Sequence, residues 1–253
     1  MILRDFHVHT NCCDGRSTPE EVVLSAIEKG VKMLGIVSHC YTPFHVYGGL
    51  SPNSTDEFYD KITALKVRFK DKIELLVGIE EDTYANSNTQ KFDYVIASSH
   101  YFYSDDKYYP IDYLYEHIKS AIDEAFNGDG LLACEKYFEQ VVAVVKRTNA
   151  QIVGHFDIVT KNNKDGSLFD ETSPRYISAW KKAVDEILAF NKDIYFEVNT
   201  GGISRGYKTY PYPSKEIVDY IKSKGGKFLL TSDAHHKDNL CFEFEKWKKE
   251  YEI

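Results

Sequence analysis

Short apolar runs alternate with amphipathic segments from one end of the chain to the other. Seven of these runs predict β-strands, and several are apolar at consecutive positions, as strands covered on both faces are. The predicted strands are Ile2–Val8, Met33–Ser38, Ile73–Glu80, Tyr94–Ser99, Ile152–Phe156, Ile194–Asn199 and Lys227–Ser232. Helices are predicted between them, near residues 19–29, 55–70, 112–126, 134–148, 174–190 and 214–224. This alternation predicts an α/β fold with a parallel sheet that is either open or closed into a barrel.

The connection after the fourth predicted strand differs from the others in composition. Its sequence, Tyr101–Tyr113, is polar and aromatic, and it predicts a long surface loop. No repeat, low-complexity tract or Pro/Gly-rich linker divides the chain. Residues 1–253 are therefore expected to form a single domain, a common size for α/β barrels.

The composition of the chain excludes some classes of binding partner and indicates the cellular compartment. The chain has 253 residues and a formal net charge of −8, which argues against nucleic acid as the main partner. No apolar run approaches the ~20 residues of a membrane span, and the first residues lack the features of a signal peptide. The five cysteines are odd in number and irregularly spaced, unlike a disulfide framework. We expect a cytoplasmic protein without a membrane or nucleic-acid partner, in an oligomeric state that the sequence leaves open.

Every predicted strand ends at, or is followed by, a residue that can bind a metal ion. In chain order these residues are His7 and His9, His39, Glu80, His100, His155, Glu197 and Asn199, and Asp233 and His235. Active sites of parallel α/β folds lie at the carboxyl ends of the strands, so these side chains are expected to meet. Alternation along an extended strand places His7 and His9 on the same side. Mixed imidazole and carboxylate ligands suit Zn²⁺, Mn²⁺ or Fe²⁺, and their number favours two or three ions bridged by a carboxylate.

Several residues near these candidates allow two interpretations. Asp14, in the run CCDGRS, fits a turn residue before Gly15 as well as it fits a metal ligand. His45, in YTPFHVYGG, fits either a surface loop or a substrate contact. Cysteine thiolates bind zinc well, and three cysteines lie near the first two strands. These cysteines form no CxxC pair, however, and histidines and carboxylates are numerous enough without them.

The motifs DFHVHT, SHC, GIE, SSH, GHFD and SDAH resemble, in this order, the successive motifs of the polymerase and histidinol phosphatase (PHP) family. The resemblance covers nearly the whole chain and implies a distorted (β/α)7 barrel with a site for three metal ions. It implies one ion at His7, His9, Glu80 and Asp233, a second at Glu80, His100 and His155, and a third at Asp14, His39 and His235. Glu80, Asp233 and His235 are expected to act in catalysis, with Asp5, Glu197 and Asn199 supporting the ligands.

Within the family the chain is most similar to stand-alone histidinol-phosphate phosphatases, through CDGRSTPEE, YYPIDY and EVNTGGISRGYKTYPYPS. In the last stretch, Arg205 is expected to bind the substrate phosphate. Lys161 stands where relatives carry a second phosphate-binding arginine. The resemblance implies hydrolysis of L-histidinol phosphate to L-histidinol and phosphate in histidine biosynthesis. The alternatives are a phosphoesterase acting on another small phosphomonoester, a nucleotide or a phosphodiester, and a metal-binding module without activity.

Overall fold

The computed structural model describes residues 3–44 and 50–253. In chain order its strands are β1 (Arg4–Asp5), β2 (Met33–Ile36), β3 (Glu74–Asp82), β4 (Tyr94–Ser98), β5 (Tyr101–Ser104), β6 (Lys107–Pro110), β7 (Ile152–Val153), β8 (Tyr195–Asn199) and β9 (Lys227–Thr231). Seven of them pair in parallel in the order β1-β2-β3-β4-β7-β8-β9. Strands β5 and β6 pair only with each other, in antiparallel orientation.

Helices connect the strands and cover the outside of the sheet. They are α1 (Pro19–Glu28), α2 (Pro52–Arg68), α3 (Tyr115–Ala125), α4 (Gly130–Thr148), α5 (Pro174–Phe190), α6 (Gly201–Ser204), α7 (Lys215–Ser223) and α8 (Phe244–Tyr251). The start of α1 illustrates how the sequence fixes these elements, because Thr18 and Glu21 form a reciprocal capping box in front of Pro19. Helices α6 and α8 have no counterpart among the predicted elements. Within the described part of the chain, no helix combines the length and apolar character needed to span a membrane.

The two edges of the sheet meet through side-chain hydrogen bonds. The buried carboxylate of Asp5, in β1, accepts hydrogen bonds from the backbone N–H of Ser232 at 3.1 Å and from its hydroxyl at 2.5 Å. It also accepts one from the backbone N–H of Cys241 at 3.1 Å. Farther along, Val8 and Ala234 form a parallel bridge. These contacts bring the first and last strands together, so the sheet curves into the nearly closed barrel that the resemblance implies.

Tyr94 occupies the interior of the barrel together with Phe6, Ile96, Ile152 and Leu229. Its hydroxyl donates a 2.6 Å hydrogen bond to the carbonyl of Phe6, across the barrel. Gly35 and Gly78 face this ring, and a Cβ added at Gly78 would lie 2.4 Å from Tyr94 Cζ. Only residues without a side chain leave room for the ring at these two positions. The tyrosine therefore plugs the barrel below the carboxyl ends of its strands.

The prediction of a long surface loop over Tyr101–Tyr113 is wrong, because most of this segment forms the β5–β6 hairpin. Asp105 and Asp106 make the turn and both have positive φ, 48° and 59°, as two-residue hairpin turns of type I′ require. Phe102 and Tyr109 are buried, while Tyr103 is exposed. The aromatic residues thus alternate between the two faces of a ribbon.

Two predicted strands are longer than the observed pairing. The first was expected over Ile2–Val8, but ladder pairing covers Arg4–Asp5 and the bridge at Val8; Ile2 lies outside the described residues. The fifth was expected to extend to Phe156, but β7 ends at Val153. Beyond that point the backbone N–H of His155 donates to a side chain, the carboxylate of Glu197, instead of continuing a ladder.

We expect Gly78→Ala to lower the free energy of unfolding by about 1–3 kcal/mol or more, because the new methyl group would overlap the Tyr94 ring. Chemical denaturation followed by circular dichroism measures this loss. The double variant Gly78→Ala/Tyr94→Leu should recover part of the loss, since the shorter side chain vacates the space. A single variant with the wild-type midpoint would show that the barrel does not depend on this contact.

Candidate metal centre

Six imidazoles and three carboxylates converge at the carboxyl ends of the strands. They belong to His7, His9, His39, His100, His155 and His235, and to Asp14, Glu80 and Asp233. All nine positions were identified as ligand candidates from the sequence. The structure brings them into one cluster, although they come from segments spread over the whole chain.

His7 and His9 face each other across the start of this cluster. Their Nε2 atoms lie 3.0 Å apart, which agrees with the predicted placement of both rings on one side of the chain. Asp233 Oδ1 lies 3.7 Å from His7 Nε2 and 3.5 Å from His9 Nε2. A backbone hydrogen bond from His9 N to Ala234 O, 2.9 Å long, fixes the first and last segments at this point.

Glu80 lies at the centre of the cluster, with one carboxylate oxygen toward each side. Its Oε1 is 3.0 Å from His155 Nε2 and 3.3 Å from His100 Nε2. Its Oε2 is 2.8 Å from His39 Nδ1 and 3.4 Å from His7 Nε2. Glu80 is followed by two more residues of β3, so it is not the last residue of its strand as predicted.

Asp14 joins the cluster from the loop after β1. Its Oδ2 lies 3.1 Å from His235 Nε2 and 3.5 Å from His39 Nε2, and its Oδ1 lies 3.9 Å from His9 Nδ1. The turn interpretation alone would not place this carboxylate among three imidazoles. Its position therefore favours the ligand interpretation.

Three groups in this cluster have ligand atoms within 4.8 Å of one another, so that each could hold an ion. They are His9, Asp14, His39 and His235; His7, His9 and Asp233; and His39, Glu80 and His100. This grouping of the ligand candidates differs from the three ligand sets implied by the resemblance, since His9 and His39 each take part in two groups. No cysteine belongs to these groups among residues 3–44 and 50–253.

Glu197, which was expected to support the ligands, lies behind His7. Its Oε1 lies 2.6 Å from His7 Nδ1, the ring nitrogen opposite the one facing His9. Its Oε2 accepts 3.0 Å hydrogen bonds from the backbone N–H of His155 and from Asn199 Nδ2. Such partners fix the orientation and tautomer of a ligating imidazole. One buried carboxylate thus orients two ligand-bearing segments.

A second carboxylate of β3, that of Asp82, also contacts a ligand candidate. Its Oδ2 lies 3.2 Å from His100 Nδ1 and accepts a 2.8 Å hydrogen bond from His100 N. The intervening Glu81 points to the other side of β3 and pairs with Arg147 at 3.1 Å. Period-two alternation in a strand was the signal that could have revealed this, because it places Glu80 and Asp82 on the same face.

Arg205 approaches the cluster from the end of α6. Its guanidinium donates a 2.9 Å hydrogen bond to Asp233 Oδ2, and its Nη1 lies 2.7 Å from His235 Nδ1. Its buried Nε–H has no acceptor among the described residues. The close approach depends on Gly201, where a Cβ would lie 2.8 Å from Asp233 Cβ and 3.0 Å from Arg205 Nη2.

Seven of the nine cluster residues, all except His7 and His9, form the floor of a cavity of about 240 Å³. Its remaining lining residues are Tyr101, Pro110, Asp112, Tyr113, Ile158, Lys161, Arg205 and Tyr207. The structure therefore places Arg205 and Lys161 in the same cavity as the ligand candidates. His45, the third expected substrate contact, lies outside the described residues.

The charges in the cluster fit a cation. Although burial opposes ionisation, the surrounding imidazoles hold the pKa of Glu80 well below its usual range. Burial and the nearby His39 and His235 lower the pKa of His9 to about 3. Burial alone would lower the pKa of His100, but the carboxylate of Glu80 raises it to about 10. Side chains bind metal as ionised carboxylates and neutral imidazoles, so Glu80 and His9 are already in the binding state, whereas His100 would release its proton on binding.

The buried oxygen Glu80 Oε2 tests more directly whether these residues fit metal ions. It makes no hydrogen bond of acceptable geometry with any described residue, although the imidazole nitrogens of His7 and His39 lie within 3.4 Å. Nitrogens that converge on an acceptor without donating to it are arranged as co-ligands, because a shared cation satisfies all of them. The residues present therefore fit divalent ions.

Comparison with known proteins agrees with this geometry. Residues 5–201 match the family model of the PHP domain. The histidinol-phosphatase of Lactococcus lactis subsp. lactis is 25% identical over 243 residues, which cover 91% of this chain and 83% of the relative. A Schizosaccharomyces pombe protein named "Probable histidinol-phosphatase" is 24% identical over 270 residues, with coverage of 95% and 83%.

Two solved structures have the same fold. A proposed histidinol phosphatase from Listeria monocytogenes superimposes with a TM-score of 0.81 at 19% identity, over 96% of this chain and 99% of that one. The L. lactis histidinol phosphate phosphatase, solved with zinc, L-histidinol and phosphate, gives a TM-score of 0.65 at 20% identity, over 99% and 94%. These likenesses confirm the predicted barrel, and since the family match spans most of the chain, the protein belongs to the PHP domain family.

Proposed function

We propose that this chain is a metal-dependent phosphatase that hydrolyses L-histidinol phosphate to L-histidinol and phosphate. The observation that carries the proposal is the partly exposed side chain of Arg205 beside a cluster of metal-ligand candidates, in a cavity large enough for a small organic ester. The names of the relatives support the choice of substrate, as do the zinc, L-histidinol and phosphate in the L. lactis structure.

The nine clustered side chains would hold two or three divalent ions, and both carboxylate oxygens of Glu80 would be available as ligands. The mixed imidazole and carboxylate set suits Zn²⁺, Mn²⁺ or Fe²⁺. In sites of this kind the ions activate water and offset the negative charge on the phosphoryl oxygens. Glu197 and Asp82 fix the ring orientations of His7 and His100 through the nitrogens on the other side of each ring.

Arg205 and Lys161 bind the phosphate of the substrate. The contact with Asp233 leaves the Arg205 side chain 25% exposed in the cavity, and its guanidinium donates to a phosphoryl oxygen. Lys161 contributes a second positive charge from another part of the cavity lining. An acidic protein needs such local cations to bind a dianionic ester, and they also stabilise the charge that develops on the equatorial oxygens.

Hydrolysis transfers the phosphoryl group to water. Water attacks phosphorus in line with the ester oxygen, the bond between phosphorus and that oxygen breaks, and the alcohol leaves with a proton. Cavity residues exclude bulk water and keep the ester aligned with the attacking oxygen, which supplies a large part of the rate enhancement.

A substrate panel tests the proposed function. The metal-loaded protein should have a kcat/KM for L-histidinol phosphate at least about tenfold above its values for nucleoside monophosphates, p-nitrophenyl phosphate and bis(p-nitrophenyl) phosphate. Phosphate release measures the monoesters, and nitrophenol absorbance measures the diester. Faster turnover of a nucleotide or of the diester would favour another phosphoesterase of this family, and no turnover of any ester would favour the non-catalytic interpretation.

Glu80→Gln should abolish turnover and reduce the metal content by more than one ion per chain, because its Oε2 faces His7 of one ligand group and its Oε1 faces His100 of another. The loss in kcat/KM should exceed about a hundredfold. Elemental analysis of the purified variant measures the ions. Glu81→Gln is the matched control, since this neighbouring carboxylate lies on the other face of β3 and should leave the metal content unchanged. Full metal occupancy in the Glu80 variant would show that Glu80 is not the bridge.

Arg205→Ala should lower kcat/KM for histidinol phosphate by at least about tenfold, or about 1.4 kcal/mol, and should weaken inhibition by inorganic phosphate. Arg205→Lys should recover only part of this loss, because an ammonium cannot replace the planar guanidinium. Arg175→Ala is the control, since Arg175 is paired with Asp129 and Glu135 on the outside of the barrel. Unchanged phosphate inhibition in the Arg205 variants would contradict the assignment of this side chain to the phosphate.

A further inference from the structure

One acidic residue in the cavity lining lies outside the metal-ligand groups. The lining contains four carboxylates, and three of them, Asp14, Glu80 and Asp233, belong to those groups. The fourth, Asp112, follows the β5–β6 hairpin and precedes α3. Bound metal ions would offset the charge of the first three, but Asp112 has no such role among the described residues.

Asp112 lies near the rim of the cavity, where the lining is aromatic. Its side chain is 26% exposed, so it is open to a ligand in the cavity. The next residue, Tyr113, and Tyr207 from the segment after α6 are 45% and 50% exposed. Large aromatic surfaces of this kind at a cavity mouth suit the organic part of a substrate, and their ring faces attract cations.

Lys161 is the one cation within ion-pair distance of Asp112 among the described residues, and it is only loosely paired with it. Its Nζ lies 3.6 Å from Asp112 Oδ2, beyond an ordinary hydrogen bond, and 4.5 Å above the ring centroid of Tyr207. The carboxylate of Asp112 therefore keeps capacity to accept hydrogen bonds from a second cation. Burial alone would raise the pKa of Asp112, but Lys161 and the nearby imidazoles lower it, so the group is ionised at neutral pH.

A carboxylate at this position works against the binding of a simple phosphate ester. It lies in the same cavity as Arg205 and Lys161, which bind the phosphate in the proposed function, and it repels a dianion. That cost is offset when the ester brings its own positive charge to the rim. The charges in the cavity thus match a zwitterionic substrate, with the phosphate at the floor and a cation at the rim.

We propose that Asp112 is a specificity-determining residue that binds the ammonium group on the alcohol part of the substrate. This inference rests on the proposed function, because it assumes that a phosphomonoester occupies the cavity. It defines the preferred class as phosphate esters of amino alcohols. Tyr113 and Tyr207 flank the same part of the substrate and cover its apolar atoms.

A matched pair of esters isolates the ammonium group. L-histidinol phosphate and 3-(imidazol-4-yl)propyl phosphate differ only by the amino group, and 2-aminoethyl phosphate and propyl phosphate form a smaller pair of the same kind. Wild-type protein should prefer the amino ester of each pair by at least about tenfold in kcat/KM. Asp112→Asn should reduce this preference at least about tenfold by lowering kcat/KM for the amino esters, while the amino-free esters are hydrolysed as well as before or better.

Controls separate this role from an indirect effect on the phosphate. Glu116→Gln removes a charge from an exposed position in the first turn of α3 and should leave both preferences unchanged. If Asp112 only positions Lys161, Asp112→Asn and Asp112→Ser will lower kcat/KM equally for all four esters, and the proposal is wrong. Equal losses accompanied by lost metal would contradict it too, since the ammonium contact has no part in metal binding.

The experiment also distinguishes this proposal from the proposed function. If wild-type protein hydrolyses other monoesters faster than histidinol phosphate, the proposed function fails, but the 2-aminoethyl and propyl pair still tests Asp112. If wild-type protein shows no preference for the amino ester in either pair, the Asp112 assignment is overturned even though histidinol phosphate is a substrate.

Discussion

A buried negative charge determines how the mouth of this barrel is built. Glu80 is almost completely removed from water, and a carboxylate in such a place is strongly destabilised unless nearby groups compensate its charge. The compensation comes from imidazoles that follow four different strands, β1, β2, β4 and β7. A parallel sheet meets this demand because all of its carboxyl ends open at one side. The curvature of the sheet then brings these rings to within a few ångströms of a single side chain.

The need to hold imidazoles around the buried Glu80 also explains why the first and last strands are joined so firmly. Strand β1 has two residues in ladder pairing, too few to hold His7 in position by backbone hydrogen bonds alone. The carboxylate of Asp5 holds this segment in place instead, because it accepts hydrogen bonds from Ser232, a residue 227 positions away in the chain. The cluster therefore requires both ends of the chain to be in place, and it is assembled only when the barrel is complete.

The sequence was sufficient to predict the features that depend on short-range periodicity. Strand positions, the same-side placement of His7 and His9, and the convergence of ligand candidates all follow from alternation and from the geometry of parallel strands. The β5–β6 hairpin was missed because its turn, Asp105–Asp106, and its tyrosines have the composition of a loop, although their alternation is that of a ribbon. Which imidazoles share a group depends on side-chain conformations, which no local pattern encodes. His9 and His39 therefore fall into groups that strand order did not predict.

The hairpin has a consequence for how such a protein can change over evolutionary time. Strands β5 and β6 pair only with each other, so they add nothing to the ladder that positions the clustered histidines. Their buried side chains, such as Phe102 against Phe126, anchor the ribbon to the outer layer, while Tyr101 and Pro110 at its base and Asp112 just after it line the cavity. A hairpin of different length or sequence would place different side chains at the rim of the cavity, while the clustered ligand candidates at its floor stay the same. Proteins descended from one ancestor could in this way acquire new substrates by replacing this one hairpin, while they keep the residues that carry out hydrolysis.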